Sequence, residues 1–145
     1  MKPVEFRREF MRATRSMQGS IHKTVAPICQ GHGLTVLQLC ILTELSERPG
    51  LTASQVSERV GILRTNFAPV CRKLEEDGLL EKRPGETDKR TIALHVTDKG
   101  RALISSVDEN VNSRFEEAFA AEPAETFDDI VRGLHLLRRF SEKLP

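Results

Sequence analysis

The feature that most constrains how this 145-residue chain can fold is a change in hydrophobic period at Gly78. Before it, apolar residues recur at helical spacing in short runs, each cut off by a glycine; after it they alternate. Thr35 and Gln38 form a capping-box pattern ahead of Val36, Leu37, Leu39, Cys40, Ile41, Leu42 and Leu45. That run is apolar nearly all round, which predicts a buried central helix stopped by Arg48-Pro49-Gly50. Thr52 and Gln55 repeat the box before Val56 and Val60, and Gly61 stands where a helix ends in a left-handed residue. Only Ile62 and Leu63 intervene before Phe67, Val70, Cys71 and Leu74, a helix closed by Gly78. Leu79 to Arg83 then read as a strand and Pro84 to Lys89 as a polar turn. Thr91 to Val96 read as a half-buried strand with Ile92, Leu94 and Val96 on one face. Two short helices about a glycine turn, followed by a hairpin with a charged tip, describe a winged helix-turn-helix.

Long amphipathic helices flank this unit. Phe6, Phe10, Ala13, Met17, Ile21, Val25 and Ile28 form one stripe, in which Pro27 removes an amide donor and should bend the last turn. Thr97 caps a helix carrying Leu103, Val107, Val111, Phe115 and Phe119. Pro123 fits the first position of a last helix, which carries Phe127, Ile130, Val131, Leu134, Leu137 and Phe140. The expected class is mainly α with a small β-hairpin wing. One small domain cannot cover all three stripes, so they call for a partner.

Composition excludes several functions. Mixed charges at 30% and hydrophobic residues at 39% rule out collagen-like and disordered chains. Trp and Tyr are absent, which removes most stacking platforms for single-stranded nucleic acid. The stretch Thr24 to Thr43 lacks Asp, Glu, Lys and Arg, but its Pro, Gln, Gly and His residues make it no membrane span. The N-terminus is charged where a signal peptide is apolar, so a soluble cytoplasmic chain without membrane contact is expected. Cys29, Cys40 and Cys71 lack metal or disulfide spacing and read as small core hydrophobes. The four histidines show no ligand spacing, and no nucleophile, base and orienter set or phosphate loop appears. Neither metal, cofactor nor enzymatic activity is expected. The net charge of +1 conceals a basic stretch over residues 59–101 and an acidic one over residues 102–145, so one face is suited to meet an anion.

Taken in order, His32-Gly33-Leu34-Thr35, Pro49-Gly50-Leu51-Thr52, Leu74-Glu75-Glu76-Asp77-Gly78-Leu79-Leu80, Asp88-Lys89-Arg90 and Leu94-His95-Val96-Thr97-Asp98-Lys99-Gly100 resemble the MarR family of winged-helix transcription regulators. The wing matches that family's D-x-R and L-x-x-T-x-x-G patterns. The resemblance implies a single domain over residues 1–145, with dimerisation helices at about 4–30 and 98–143 and the winged helix-turn-helix at about 35–97. It also implies a homodimer that binds a pseudo-palindrome in double-stranded DNA, acting as a repressor released by a small anionic aromatic effector.

On the helix after Gly61, the inward residues leave Arg64, Thr65, Asn66, Ala68, Pro69, Arg72 and Lys73 outside. By resemblance, Thr65 and Asn66 sit where bases or phosphates are read, and Asn can pair bidentately with adenine. Arg64, Arg72 and Lys73 suit phosphates. Arg90 is the minor-groove arginine by resemblance, with Asp88 holding it and Lys82, Arg83 and Lys89 adding charge. Pro69 departs from the family pattern. Were the helix to begin at Leu63, Pro69 would break an interior bond at about 3 kcal/mol. The reading is therefore a later start with Asn66 as cap, or a kink. Met17, His22, Leu37 and Cys40 are the candidates for an effector pocket, with Cys29 and His32 near them. Two rival readings are a winged-helix interaction module without specific DNA binding, and a cysteine-based redox-sensing regulator.

Overall fold

The computed structural model describes residues 1–144. Six helices and one hairpin follow in the order α1 (Pro3–Gly31), α2 (Val36–Glu47), α3 (Ala53–Val60), α4 (Arg64–Glu76), β1 (Leu80–Pro84), β2 (Ile92–Val96), α5 (Asp98–Ala120) and α6 (Ala124–Ser141). They form two compact units, residues 1–111 and 112–145, with α5 contributing to each.

In the first unit the starts of α2 and α3 are set by the two capping boxes. The Thr35 hydroxyl oxygen accepts from the Gln38 amide at 3.1 Å, while the Gln38 side chain accepts from the Thr35 amide at 2.9 Å. Thr52 and Gln55 do the same at 3.3 and 2.9 Å. Each box satisfies two of the amides a helix start leaves unpaired. Gly61 ends α3 at φ +72°, a conformation that costs glycine no Cβ clash. The turn into α4 is therefore local chemistry.

Ile41, Leu42 and Leu45 turn one face of α2 into a core shared with Val56, Phe67, Leu74, Leu80, Leu94 and Val107. The expected burial all round α2 is not realised. Val36 and Leu39 are half-buried on the opposite side, and Cys40 is exposed there, so only Cys29 and Cys71 are core cysteines. Between α2 and α3, Glu44 accepts from the side chains of Arg59 and Arg48, the latter at 2.9 Å. These bonds, Arg59 first, hold its carboxyl below the usual carboxylate range.

β1 and β2 pair antiparallel from Leu80↔Val96 to Pro84↔Ile92. The expected alternation on β2 fails at its outer end: Ile92 is 57% exposed, while Ala93, Leu94 and Val96 are buried. Ile92 pairs with Pro84 at the last rung, beyond the helices that cover the hairpin's base. On its other edge β2 meets the loop before α3. The Leu94 amide donates to Leu51 O at 2.9 Å, and the Gly50 amide donates to Leu94 O at 3.1 Å.

The hairpin is tied back to α4 at Thr97. Its amide donates to Leu79 O at 3.1 Å and its hydroxyl to Gly78 O at 2.6 Å, while the same hydroxyl accepts from the Gly100 amide at 3.1 Å. Thr97 thus caps α5, as expected, and straps it to the end of α4. A Cβ at Gly100 would overlap the Leu79 carbonyl oxygen and the Val96 side chain. That gives a physical reason for the T-x-x-G spacing.

In the second unit, Phe119 and Phe127 stack with ring centroids 3.7 Å apart. Pro123 is the N-cap of α6, one residue outside the first helical position expected of it. Its carbonyl accepts from Thr126 N at 3.0 Å. α6 buries no residue, and Phe115, Phe119, Ile130, Val131 and Leu134 are exposed. In α1 only Val25 and Cys29 are buried.

Two outcomes follow from these contacts. Gly100→Ala should lower stability by about 1–3 kcal/mol, read as a shift in urea midpoint; an unchanged midpoint would mean the strap yields freely. The pair of Glu44 with Arg59 stabilises the fold above the unfolded carboxylate value of about 4.3 and ceases to do so as pH falls through the lower native pKa. Glu44→Gln should therefore cost about 0.5–1 kcal/mol at pH 7 and progressively less as pH falls through the native pKa, by denaturation across an acid pH series.

Candidate nucleic-acid interface

α4 is oriented by what it buries. Phe67, Cys71 and Leu74 point into the core and Val70 is half-buried. Arg64, Thr65, Asn66, Pro69, Arg72 and Lys73 lie exposed on the opposite side. Ala68, expected outside with them, is half-buried at the edge of the packed face.

The late start expected for α4 does not occur. The helix begins at Arg64, with the Leu63 carbonyl accepting from Asn66 N at 2.9 Å and Phe67 N at 3.0 Å. Leu63 offers no side-chain cap. Burial of Phe67 draws this first turn against the core, and tertiary packing overrides the missing cap. Pro69 therefore lies inside α4 and withholds the amide that the Thr65 carbonyl would accept from.

The charges on this face divide into paired and unpaired. Lys73 bonds Asp77 at 3.0 Å, Lys82 reaches Glu75 at 3.3 Å, and Arg83 bonds Glu81. The positive charge expected from Lys73, Lys82 and Arg83 is thus partly neutralised within the chain. Arg64, Arg72 and Lys89 have no ion-pair partner among the described residues, although the Arg64 guanidinium sits 5.7 Å from the centroid of the Phe67 ring.

At the wing tip Asp88 organises the loop. Its Oδ1 accepts from the Arg90 amide at 3.0 Å and from Arg90 Nε at 3.2 Å. These two bonds, the backbone one first, hold the Asp88 carboxyl below its ordinary range. The Arg90 side chain is 92% exposed, so its guanidinium is braced at one nitrogen and open elsewhere. Two residues not singled out from the sequence close the same loop. The Thr91 hydroxyl donates to Asp88 O at 2.7 Å, and the Gly85 amide donates to Thr91 O at 3.0 Å. Gly85 must be glycine, because a Cβ there would overlap Thr91 Oγ1 and Asp88 O. The Gly85 and Thr91 symbols bracketing Asp88 were the available signal.

The effector candidates fall on two helices. Met17 and His22 are exposed on α1; on α2, Leu37 is half-buried and Cys40 exposed. The cavity that opens beside the wing, about 420 Å³, is lined by other residues, among them Pro49, Thr52, Gln55, Asp88 and His95. Burial pushes the Cys29 and Cys71 thiols up, with Lys82 and Arg64 drawing Cys71 partly back. A raised thiol pKa leaves less thiolate and lower reactivity. Among the described residues no His, Cys, Asp and Glu cluster could hold a metal ion, and no single helix is long and apolar enough to cross a membrane.

Pro69→Ala returns the missing amide to α4 and should raise stability by about 1–3 kcal/mol. An unchanged or lower urea midpoint would show that the Thr65 carbonyl is already satisfied.

Residues 32–91 match the sequence profile of the MarR family. The transcriptional regulator PetP of Rhodobacter capsulatus is 35% identical over 77 residues, spanning 53% of this chain and 46% of that protein. The chain thus covers about half the length of that relative. The homoprotocatechuate degradative operon repressor of Escherichia coli is 27% identical over 114 residues, 79% of this chain and 75% of that one. Among solved structures, the transcriptional repressor CouR bound to a 23-mer DNA duplex superposes with a TM-score of 0.75 at 26% identity, over 97% of this chain and 98% of that one. With the matching profile over residues 32–91, the winged helix-turn-helix and the Asp88–Arg90 wing tip in one chain, this protein is similar to the MarR family in sequence and in fold.

Proposed function

We propose that this protein is a transcription regulator that binds double-stranded DNA as a homodimer and acts as a repressor relieved by a small anionic aromatic effector. The observation that carries the reading is the pairing of two exposed elements on one rigid unit. α4 turns Arg64, Thr65, Asn66 and Arg72 outward, and the hairpin holds Arg90 out on the Asp88 carboxylate. The proposed division is dimerisation helices at about 4–30 and 98–143 around a winged helix-turn-helix at about 35–97.

α4 enters the major groove, where Thr65 and Asn66 meet base edges and Arg64 and Arg72 hold phosphates. Ala68, half-buried at the edge of this face, takes the contact with a thymine methyl in this reading. Lys73 is a weaker phosphate ligand, because leaving Asp77 costs it an ion pair. Arg90 enters the neighbouring minor groove, with Lys89 on the flanking phosphate. The two reading helices of the dimer address half-sites about 34–36 Å apart. The effector shifts the population toward dimers whose separation no longer fits that spacing. Met17, His22, Leu37 and Cys40 remain the proposed contacts for it. The protein acts by binding, without catalysis, in the cytoplasm with its DNA.

The test is fluorescence anisotropy against duplex DNA from upstream of the protein's own coding region, at two salt concentrations, beside a scrambled duplex. Wild type should bind in the nanomolar range, and Arg90→Ala should lose roughly 5- to 150-fold, equivalent to about 1–3 kcal/mol. Weak binding that ignores sequence and Arg90, with a flat salt response, would favour an interaction module instead.

A further inference from the structure

We propose that Leu63 reads the C5 methyl group of a thymine in the major groove. The inference rests on the DNA-binding reading and adds a specificity-determining residue to it. The exposed large apolar residues of this chain cluster on α1, α5 and α6. Between residues 35 and 97 there are two, Leu63 at 71% and Ile92 at 57% exposed. Ile92 is accounted for by its place on the last rung of the hairpin, beyond the helices that cover the base. Leu63 has no such account, since Ile62 before it packs against the core and Phe67 after it is fully buried.

Leu63 is the N-cap of α4, where Ser, Thr, Asp or Asn would bond a first-turn amide. Leucine makes no such bond and leaves apolar surface in water. Local chemistry argues against leucine on both counts, so its use lies outside the chain. The backbone that carries it is fixed. The Ile62 amide donates to Ser57 O at 3.0 Å, and the Leu63 carbonyl accepts from Asn66 N and Phe67 N at 2.9 and 3.0 Å. No backbone ordering is needed when a partner covers the side chain.

The surroundings name the partner. From Arg59 to Leu74 there is no Asp or Glu, while Arg59, Arg64, Arg72 and Lys73 supply positive charge. Arg59 and Lys73 are paired with Glu44 and Asp77, and Arg64 and Arg72 stay open to a polyanion. Thr65 and Asn66 lie exposed just after Leu63. A recognition helix meets base edges with its N-terminal residues. Among those edges the major groove displays one apolar group, the thymine methyl, which suits an aliphatic side chain with no hydrogen bond to offer. Ala68, five residues further on, is the competing source of such a contact, and the experiment separates the two.

The experiment is fluorescence anisotropy on the full chain, with the duplex that wild type selects most strongly from a random-sequence pool. Each thymine is replaced in turn by deoxyuridine, which keeps the base pair and removes the methyl. In wild type one replacement per half-site should weaken binding about fourfold, as expected for one buried apolar carbon. Leu63→Ala should bind the thymine duplex about tenfold more weakly and be indifferent to that replacement. Leu63→Met should keep the sensitivity. Leu63→Ser supplies a cap, so its urea midpoint should rise while its sensitivity to the methyl disappears, a combination that a merely structural leucine would not give. A Leu63→Ala protein that binds as tightly as wild type would overturn the proposal, as would a wild type indifferent to every replacement. A Leu63→Ala protein that keeps the wild-type response would also overturn it, and would assign the methyl to another residue such as Ala68. A pool that yields no preferred duplex would instead remove the DNA-binding reading on which the proposal stands.

Discussion

The junction at Thr97 is the contact on which the site depends. A hairpin of two five-residue strands has little cohesion of its own. Here its base is tied to the end of α4 by the Thr97 amide and hydroxyl, reaching Leu79 and Gly78, and Gly100 lets α5 come down onto the same carbonyl. Leu94 closes the other edge against Gly50 and Leu51. With both edges occupied, the wing becomes an extension of the helix-turn-helix and Arg90 is carried at a set place relative to α4.

Electrostatics then narrows the face. Formal charge alone would spread a basic surface over α4 and the hairpin. The side-chain pairs reduce it, since Lys73, Lys82 and Arg83 each lean on a neighbouring carboxylate. What stays open is Arg64, Arg72, Lys89 and Arg90, a small set suited to positioning on a polyanion. Exposed pairs of this kind are weak, and an incoming anion can displace them.

Local chemistry was readable wherever one residue type has one physical use. The Thr35 and Thr52 boxes, the turn at Gly61 and the cap at Thr97 each stand where their residues alone place them. Departures occur where packing outweighs a local preference. Pro69 argued for a later start to α4, but Phe67 has to be buried, and that draws the helix back to Arg64. Ile92 continued an alternating pattern, yet the hairpin outruns the helices that would cover it. Cys40 belonged to a run apolar on every side, but its side of α2 is left partly uncovered and Cys40 itself exposed.

The sequence by itself determined the order of elements and the winged helix-turn-helix, because caps, turn glycines and hydrophobic period act over a few residues; the wing-tip pair was legible through the family resemblance. Only the tertiary structure decided which cations remain unpaired, that Ala68 turns partly inward and where α4 begins. Those outcomes depend on residues far apart in the chain, such as Lys82 beside Glu75 or Thr97 beside Gly78. No local pattern encodes such distances; they exist once the core around Phe67, Leu74 and Leu94 has closed.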